Sequence, residues 1–410
     1  MAMENVIGNS SLLPAIKPLN YVSTVFGLTS VSPVETKLQR RFVRLRMFSC
    51  MWIAVYVASS CVGLLKYIQH DQPGIGGKIT ILNVLYTISL YLTSVVSLCL
   101  CGVFRRHLIS DIIDRLEVII NTFMKAVHNK VVKRIRKTMF VLEVLILGIS
   151  CFVNAWYVCR ECDFTLWNCL PPILESFSCT CNSLLIAQFV IFVLILRKQY
   201  KYINEILVKY AEDALRLPMA TLKTGRPREV LSIENCLLPT HQPRNRLSQI
   251  QVFNCRLIMT KLISVSGLIG SYYGFPILLA TFWIFTNNVA LLYSFFYGLS
   301  ATNYKDDLMK CVFLLQCVMW CVYFAMLITM MTSCHLTSEE ANITMFHVQN
   351  ILLLPNLGQD TIAELDKFSH QLSNMKNEIT VSGFFVLNLQ FLYGFFGVTL
   401  AYTVIMFQLN

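Results

Sequence analysis

Uncharged apolar runs recur along the chain, each near the roughly 20 residues a helix needs to cross a hydrocarbon core of about 30 Å. The first runs from Met47 to Leu65, between Arg46 and Lys66, and the second from Ile79 to Phe104, closed by Arg105 and Arg106. The third, about Thr138 to Cys159, contains Glu143. The fourth, about Pro172 to Leu196, carries Glu175 near its start. Lys261 and Lys305 then bracket 43 uncharged residues. That stretch is long enough for two spans, and Gly274 and Pro276 interrupt its pattern. The lack of a basic residue to mark a turn favours one span, roughly 264–298. The sixth run is Cys311 to about Cys334, and the last is Ile379 to Asn410. The pattern predicts an all-α polytopic membrane protein with seven transmembrane helices.

The connections also carry helical periodicity. Leu108, Ile112, Leu116, Ile120 and Phe123 form one stripe, and Tyr200, Ile203, Leu207 and Tyr210 a second. Ile362, Leu365, Phe368, Leu372 and Met375 form a third, opened by a capping pair at Thr361 and Glu364. Spans two, three and four are therefore expected to continue beyond the membrane as amphipathic helices. Their stripes need partners, either each other or a neighbouring subunit. Residues 217–250, with Pro227, Pro239 and Pro243, read as a flexible loop.

Composition sharpens this picture. The chain has 410 residues, of which 55 % are hydrophobic and 14 % charged, with mean hydropathy +0.58. An ordinary soluble domain carries about 25 % charged residues, so a typical cytosolic enzyme is excluded. The net charge is +11, but 27 of the 34 Lys and Arg fall in the N-terminal tail and the 105–137 and 197–261 connections. That asymmetry places those segments in the cytoplasm, with the N-terminus inside and the C-terminus outside. No basic run is interleaved with base-stacking aromatics, so no nucleic-acid partner is expected. The polar N-terminus, with Asn5, Asn9 and Ser10, shows no secretory signal.

The chemistry-bearing residues suggest a binding site. The outer halves of the spans combine rings and amides: Asn154, Trp156 and Tyr157 in the third, Asn287 and Asn288 in the fifth, Gln316 and Trp320 in the sixth. Glu175 lies on the same side. A pocket for a small polar or amphipathic molecule needs this mixture. Asn154, Trp156, Tyr157, Glu175, Asn288, Gln316 and Trp320 are the candidate ligand contacts; packing or snorkelling is the alternative for each. The sixteen cysteines include Cys159-x2-Cys162 without a second pair at zinc spacing, so no metal is expected. One disulfide among Cys159, Cys162 and Cys169 fits an outer loop. No phosphate loop or clustered acid, base and nucleophile is present, so neither a cofactor nor enzymatic activity is expected. Asn9 and Asn342 open glycosylation sequons, but on the inner side.

In the last span Tyr402, Ile405, Gln408 and Leu409 fall on one helix face. An amide facing lipid is costly, so this face should meet protein or water. Copies meeting around an axis would make it a gate and an amide ring; an ordinary packing face is the alternative.

These C-terminal residues carry a resemblance. Ala401-Tyr402-Thr403-Val404-Ile405-Met406-Phe407-Gln408-Leu409 resembles the signature of insect gustatory receptors: Thr-Tyr, five apolar residues, then Gln-Phe. Ala401 replaces the Thr and Leu409 the Phe, while Tyr402, the spacer and Gln408 match. Ser382 to Asn388 also resembles the family's lead-in to that helix, and length and topology agree throughout.

The resemblance implies a ligand-gated, non-selective cation channel of the plasma membrane, surrounded by lipid and built as a homotetramer or a heterotetramer with related receptors. Residues 1–46 would be a cytoplasmic tail and 47–335 a six-helix ligand-binding region. Residues 336–378 would be a cytoplasmic anchor helix and 379–410 the pore-lining helix. Gln408 with Ile405 and Leu409 would form the constriction, with permeating cations passing it. The sweet-taste branch usually has Glu where this chain has Thr403. A bitter plant metabolite is thus the first expectation for the tastant, with fructose or a polyol next. Odorant receptors share the architecture. A G-protein-coupled receptor would need the opposite orientation and lacks its Asp-Arg-Tyr and Asn-Pro-x-x-Tyr patterns here. A small-molecule transporter would need charged or broken helices at the midplane.

Overall fold

The computed structural model describes residues 77–123, 166–223, 249–300, 307–354, 357–375 and 378–408, the segment 49–58, and scattered positions before residue 62 and between 137 and 152. Eight helices and one small hairpin are placed among them. They are α1 (Ser49–Ala58), α2 (Gly77–Ser97), α3 (Arg106–Phe123), α4 (Leu166–Lys223), α5 (Gln249–Ser300), α6 (Asp307–Leu352), α7 (Gln359–Asn374) and α8 (Leu389–Gln408). Five described segments are long and apolar enough to cross a membrane: Ile81–Phe104, Ile173–Glu212, Gln249–Tyr293, Trp320–Leu352 and Leu389–Gln408. They correspond to the second, fourth, fifth, sixth and last expected spans. The first expected span is described over Ser49–Ala58, a shorter apolar helix, while the third lies largely outside the described residues, as does most of the 217–250 loop.

The 43-residue uncharged stretch is helical as far as Ser300, inside the single helix α5, so no turn divides it there. Pro276 sits within that helix. Proline has no N–H to offer the carbonyl four residues earlier, which is that of Tyr272. The Cys101 thiol donates to this carbonyl at 3.9 Å, and Arg105 Nη1 donates to the carbonyl of Ser271 next to it. Both donors lie just past α2: Cys101 in the π-helix Leu98–Phe104 that continues it, and Arg105 as the C-cap of that turn. The π turn closes with the Arg105 N–H donating to the Leu100 carbonyl at 2.7 Å. The Tyr272 hydroxyl in turn donates to the Cys101 carbonyl at 3.2 Å. The Cys101 thiol thus satisfies the carbonyl that the proline leaves open, as a non-aqueous setting demands.

The chain divides into two compact units: residues 1–192, 267–335 and 379–410, and residues 193–266 and 336–378. In the first, small polar side chains tie α2 to α4 and α5. Ser94 donates to Asn182 Oδ1 at 3.2 Å, and Asn182 Nδ2 donates to the Leu90 carbonyl at 3.3 Å. Ser89 and Thr286 share a hydrogen bond of 2.8 Å, and Thr93 donates to the Leu279 carbonyl at 3.2 Å. Such bonds act as glue between helices that lipid alone would not press together. Helix α3 buries Ile109, Ile112, Ile113, Leu116, Ile119 and Ile120, close to its expected stripe, and belongs to this unit.

In the second unit Tyr200, Ile203 and Leu207 of α4 are buried, as are Leu365, Phe368 and Leu372 of α7. The buried Glu364 carboxylate pairs with Arg256 at 2.7 Å. Thr344 donates to Asn204 Oδ1 at 2.7 Å, so Thr344 of the second sequon is a buried structural hydroxyl.

Three boundaries are corrected. Helix α7 begins at Gln359 with Gly358 as N-cap, and Thr361 lies in its first turn, so Thr361 and Glu364 are not a capping pair. Ile362 is exposed and leaves the stripe, where Thr361 and Glu364 take its place on the buried face. The expected anchor helix over 336–378 is two pieces, the end of α6 and the whole of α7.

The third correction concerns the last span, which starts at Leu389 rather than Ile379. Residues before it form a hairpin, with β1 (Thr380–Val381) antiparallel to β2 (Phe385–Val386). Ser382 and Gly383 both adopt positive φ, 48° and 78°, and the Phe384 N–H donates to the Val381 carbonyl at 2.9 Å. Two left-handed central residues with this bond make the primed turn that suits strand twist. Asn388 then caps α8, its Oδ1 accepting from the Phe391 N–H at 2.8 Å. The hairpin tip lies against α5: a Cβ at Gly274 would come within 2.9 Å of the Ser382 backbone nitrogen.

Candidate functional site

Four helices of the first unit bring polar and aromatic side chains together. Tyr86 on α2 places its hydroxyl 3.7 Å from the Cys179 sulfur on α4 and beside the Glu175 carboxyl one turn earlier. Tyr323 on α6 lies next to the same thiol and carboxyl. The Tyr323 ring meets the Trp283 indole of α5 edge to face, with centroids 5.0 Å apart. Trp283 is fully buried, and its indole N–H has no acceptor. Thr286, bonded to Ser89, donates to the Trp283 carbonyl at 2.9 Å. One turn past Trp283, the buried Asn287 leaves its Nδ2 without an acceptor.

The structure places the expected ligand contacts unevenly. Glu175 is half-buried within this cluster. Asn288, the sequence neighbour of Asn287, is buried, donating through Nδ2 to the Ile284 carbonyl at 2.9 Å and leaving Oδ1 unpaired. Trp320 stacks on Phe324 at 5.1 Å, and Phe324 meets Phe396 of α8 at 4.6 Å, a contact distinct from the Glu175 cluster. Gln316 lies in α6, with its side chain outside the described set. Asn154, Trp156 and Tyr157 lie outside the described residues, as do Cys159 and Cys162; for Cys169 only the helical backbone is described. The sequence reading passed over Tyr86, Cys179, Trp283 and Tyr323. The i, i+3, i+4 spacing of Trp283, Thr286 and Asn287 was a usable signal. Among the described residues, no three His, Cys, Asp or Glu side chains gather to hold a metal.

The last helix is the second candidate region. It buries Leu392, Phe395, Thr399 and Thr403 along one line, spaced by three, four and four residues. Thr399 and Thr403 satisfy their hydroxyls on the carbonyls one turn back, at 2.7 and 2.8 Å. Ile405 and Gln408 are exposed on the far side. Tyr402 lies at the border, half exposed, with its ring edge-on to Phe285 of α5 at 5.8 Å. Leu409 lies outside the described residues.

This architecture is that of a mostly helical, multi-pass membrane protein. The profile of the 7tm chemosensory receptor family matches residues 16–409, and the chain belongs to that family. Its fold is similar to the insect olfactory receptor OR5 from Machilis hrabei, with TM-score 0.66, 14 % identity, and coverage of 97 % of this chain and 99 % of that one. It is also similar to the same receptor in complex with eugenol, with TM-score 0.64, 15 % identity, and coverage of 96 % and 98 %. No curated protein matches the chain.

Proposed function

We propose that the chain is a gustatory receptor subunit of the plasma membrane: a tastant-gated, non-selective cation channel assembled as a homotetramer or with related receptors. Its N-terminus is cytoplasmic and its C-terminus outside, with seven spans. The carrying observation is α8, whose Ile405 and Gln408 are exposed on the side opposite its buried line. An amide on such a face is stable against water or other protein, not lipid. In a chain of the chemosensory receptor family, four such faces around an axis make a gate of apolar side chains and amides. The tastant binds the four-helix cluster around Glu175 and favours the open state through differential affinity.

The tastant class is a bitter plant metabolite first and a sugar such as fructose second. Thr403 supports that order, since the sweet-taste branch usually has Glu there. The fold likeness to an olfactory receptor, one of whose structures holds eugenol, favours a second reading as an odorant receptor. A ligand panel with current recording separates the two. The channel itself is tested by Gln408→Arg, which should abolish or invert cation permeation while surface expression persists. Unaltered cation currents would remove α8 from the pore.

A further inference from the structure

The geometry points to a protonated amine bearing an oxygen acceptor as the ligand of the cluster formed by Tyr86, Glu175, Cys179, Trp283 and Tyr323. This rests on the proposal that the cluster is the receptor's ligand site. Glu175 supplies a carboxylate among aromatic rings, and among the described residues no Lys or Arg pairs with it. A carboxylate in apolar surroundings is costly unless a countercharge or hydrogen-bond donors match it. A bound ammonium supplies that charge.

The rings suit the same guest. Tyr86 and Tyr323 flank the carboxyl, and Trp283 closes on Tyr323 at 5.0 Å. Aromatic faces attract ammonium groups most strongly when the pair is shielded from water. Two donors remain open close by. The fully buried Trp283 N–H and the Asn287 Nδ2 stand one turn apart on α5 without acceptors. They fit an ether, hydroxyl or carbonyl oxygen on the ligand. A neutral polyol would leave the carboxylate without a countercharge.

The test uses the full chain in lipid nanodiscs and two matched pairs, each amine carrying an oxygen: tyramine against tyrosol, and phenoxyethylamine against phenoxyethanol. Binding is read by calorimetry, and currents are recorded separately in cells. Each amine is expected to bind roughly tenfold or more tighter than its neutral partner. Glu175→Gln should erase that preference, and Glu175→Asp should keep part of it. Equal binding within both wild-type pairs overturns the inference, and needs no variant to fold. So does a preference that survives in a folded Glu175→Gln protein. Amine binding that needs Glu175 but evokes no current sinks the channel reading and leaves this one standing. Currents from neutral compounds that ignore Glu175 do the reverse.

Discussion

Helices α4 and α8 are both apolar enough to span a membrane, yet they live in different surroundings. In the most apolar window of α4, 94 % of residues are buried inside the chain; in α8 the share is 22 %. Helix α4 is wrapped by its own chain, and its core positions, among them Leu184, Leu185 and Phe189, have essentially no exposure. Helix α8 is held along one line only, while Tyr393, Val398, Leu400 and Val404 stay uncovered. The first helix reads as scaffold. The second has its remaining surface free for lipid or for other copies of the chain, as the proposed pore-lining role requires.

The largest expected effect comes from truncating equivalent leucines. Leu185→Ala in α4 should cost about 2–5 kcal/mol of stability, the range for a fully buried leucine. Leu400→Ala in α8 should cost less than about 1 kcal/mol in the monomeric chain, because that side chain is already uncovered. Thermal unfolding of the two variants in detergent measures both. Equal losses would break the contrast.

Next come the contacts that anchor α8 through its hairpin. Gly274→Ala drives a methyl to 2.9 Å from the Ser382 nitrogen, and such overpacking costs about 1–3 kcal/mol. Gly270→Ala meets only the Thr380 carbonyl at 3.7 Å, an ordinary contact. It should be tolerated. Hydrogen exchange over 379–395 should rise in the first variant alone; the same response in both would remove the notch as the anchor.

Asn388→Ala removes the N-cap of α8 and should cost about 1 kcal/mol, seen as faster exchange at the Phe391 amide. Smallest is Thr403→Val. It deletes a hydroxyl already satisfied by its own helix, and losing such a bond without orphaning another donor costs about 1 kcal/mol or less. A larger loss would mean that Thr403 packs more tightly than its hydrogen bond suggests.

Several features were legible from periodicity and composition. Leu116 and Ile120 in α3, and Leu365, Phe368 and Leu372 in α7, lie on buried faces as their spacing requires. Ser382-Gly383 between Ile379-Thr380-Val381 and Phe385-Val386 also carried a hairpin signal. In sequence the segment reads instead as part of a span, because the whole of it is uncharged. Pro276 marked a break that did not occur, since Cys101 satisfies the freed carbonyl from another helix.

The Glu175 cluster was legible only in part. Glu175 stood out as a charge at the edge of a span. Tyr86, Cys179, Trp283 and Tyr323 did not, because they come from four helices and share no spacing in the chain. Local spacing shows which residues share one helix face. It does not show which faces of separate helices meet.

By itself the sequence determined the number-independent essentials: long apolar helices, amphipathic extensions, and a last helix with the Gln408 amide on an otherwise apolar stripe. Tertiary structure decided which helix is covered and which is not, where α8 begins, and which side chains gather around Glu175. The reason is the solvent. In water an apolar face must be buried, so its pattern reveals its fate. In a bilayer, lipid tails are as apolar as leucine, so α4 and α8 look alike in sequence, and only packing tells them apart.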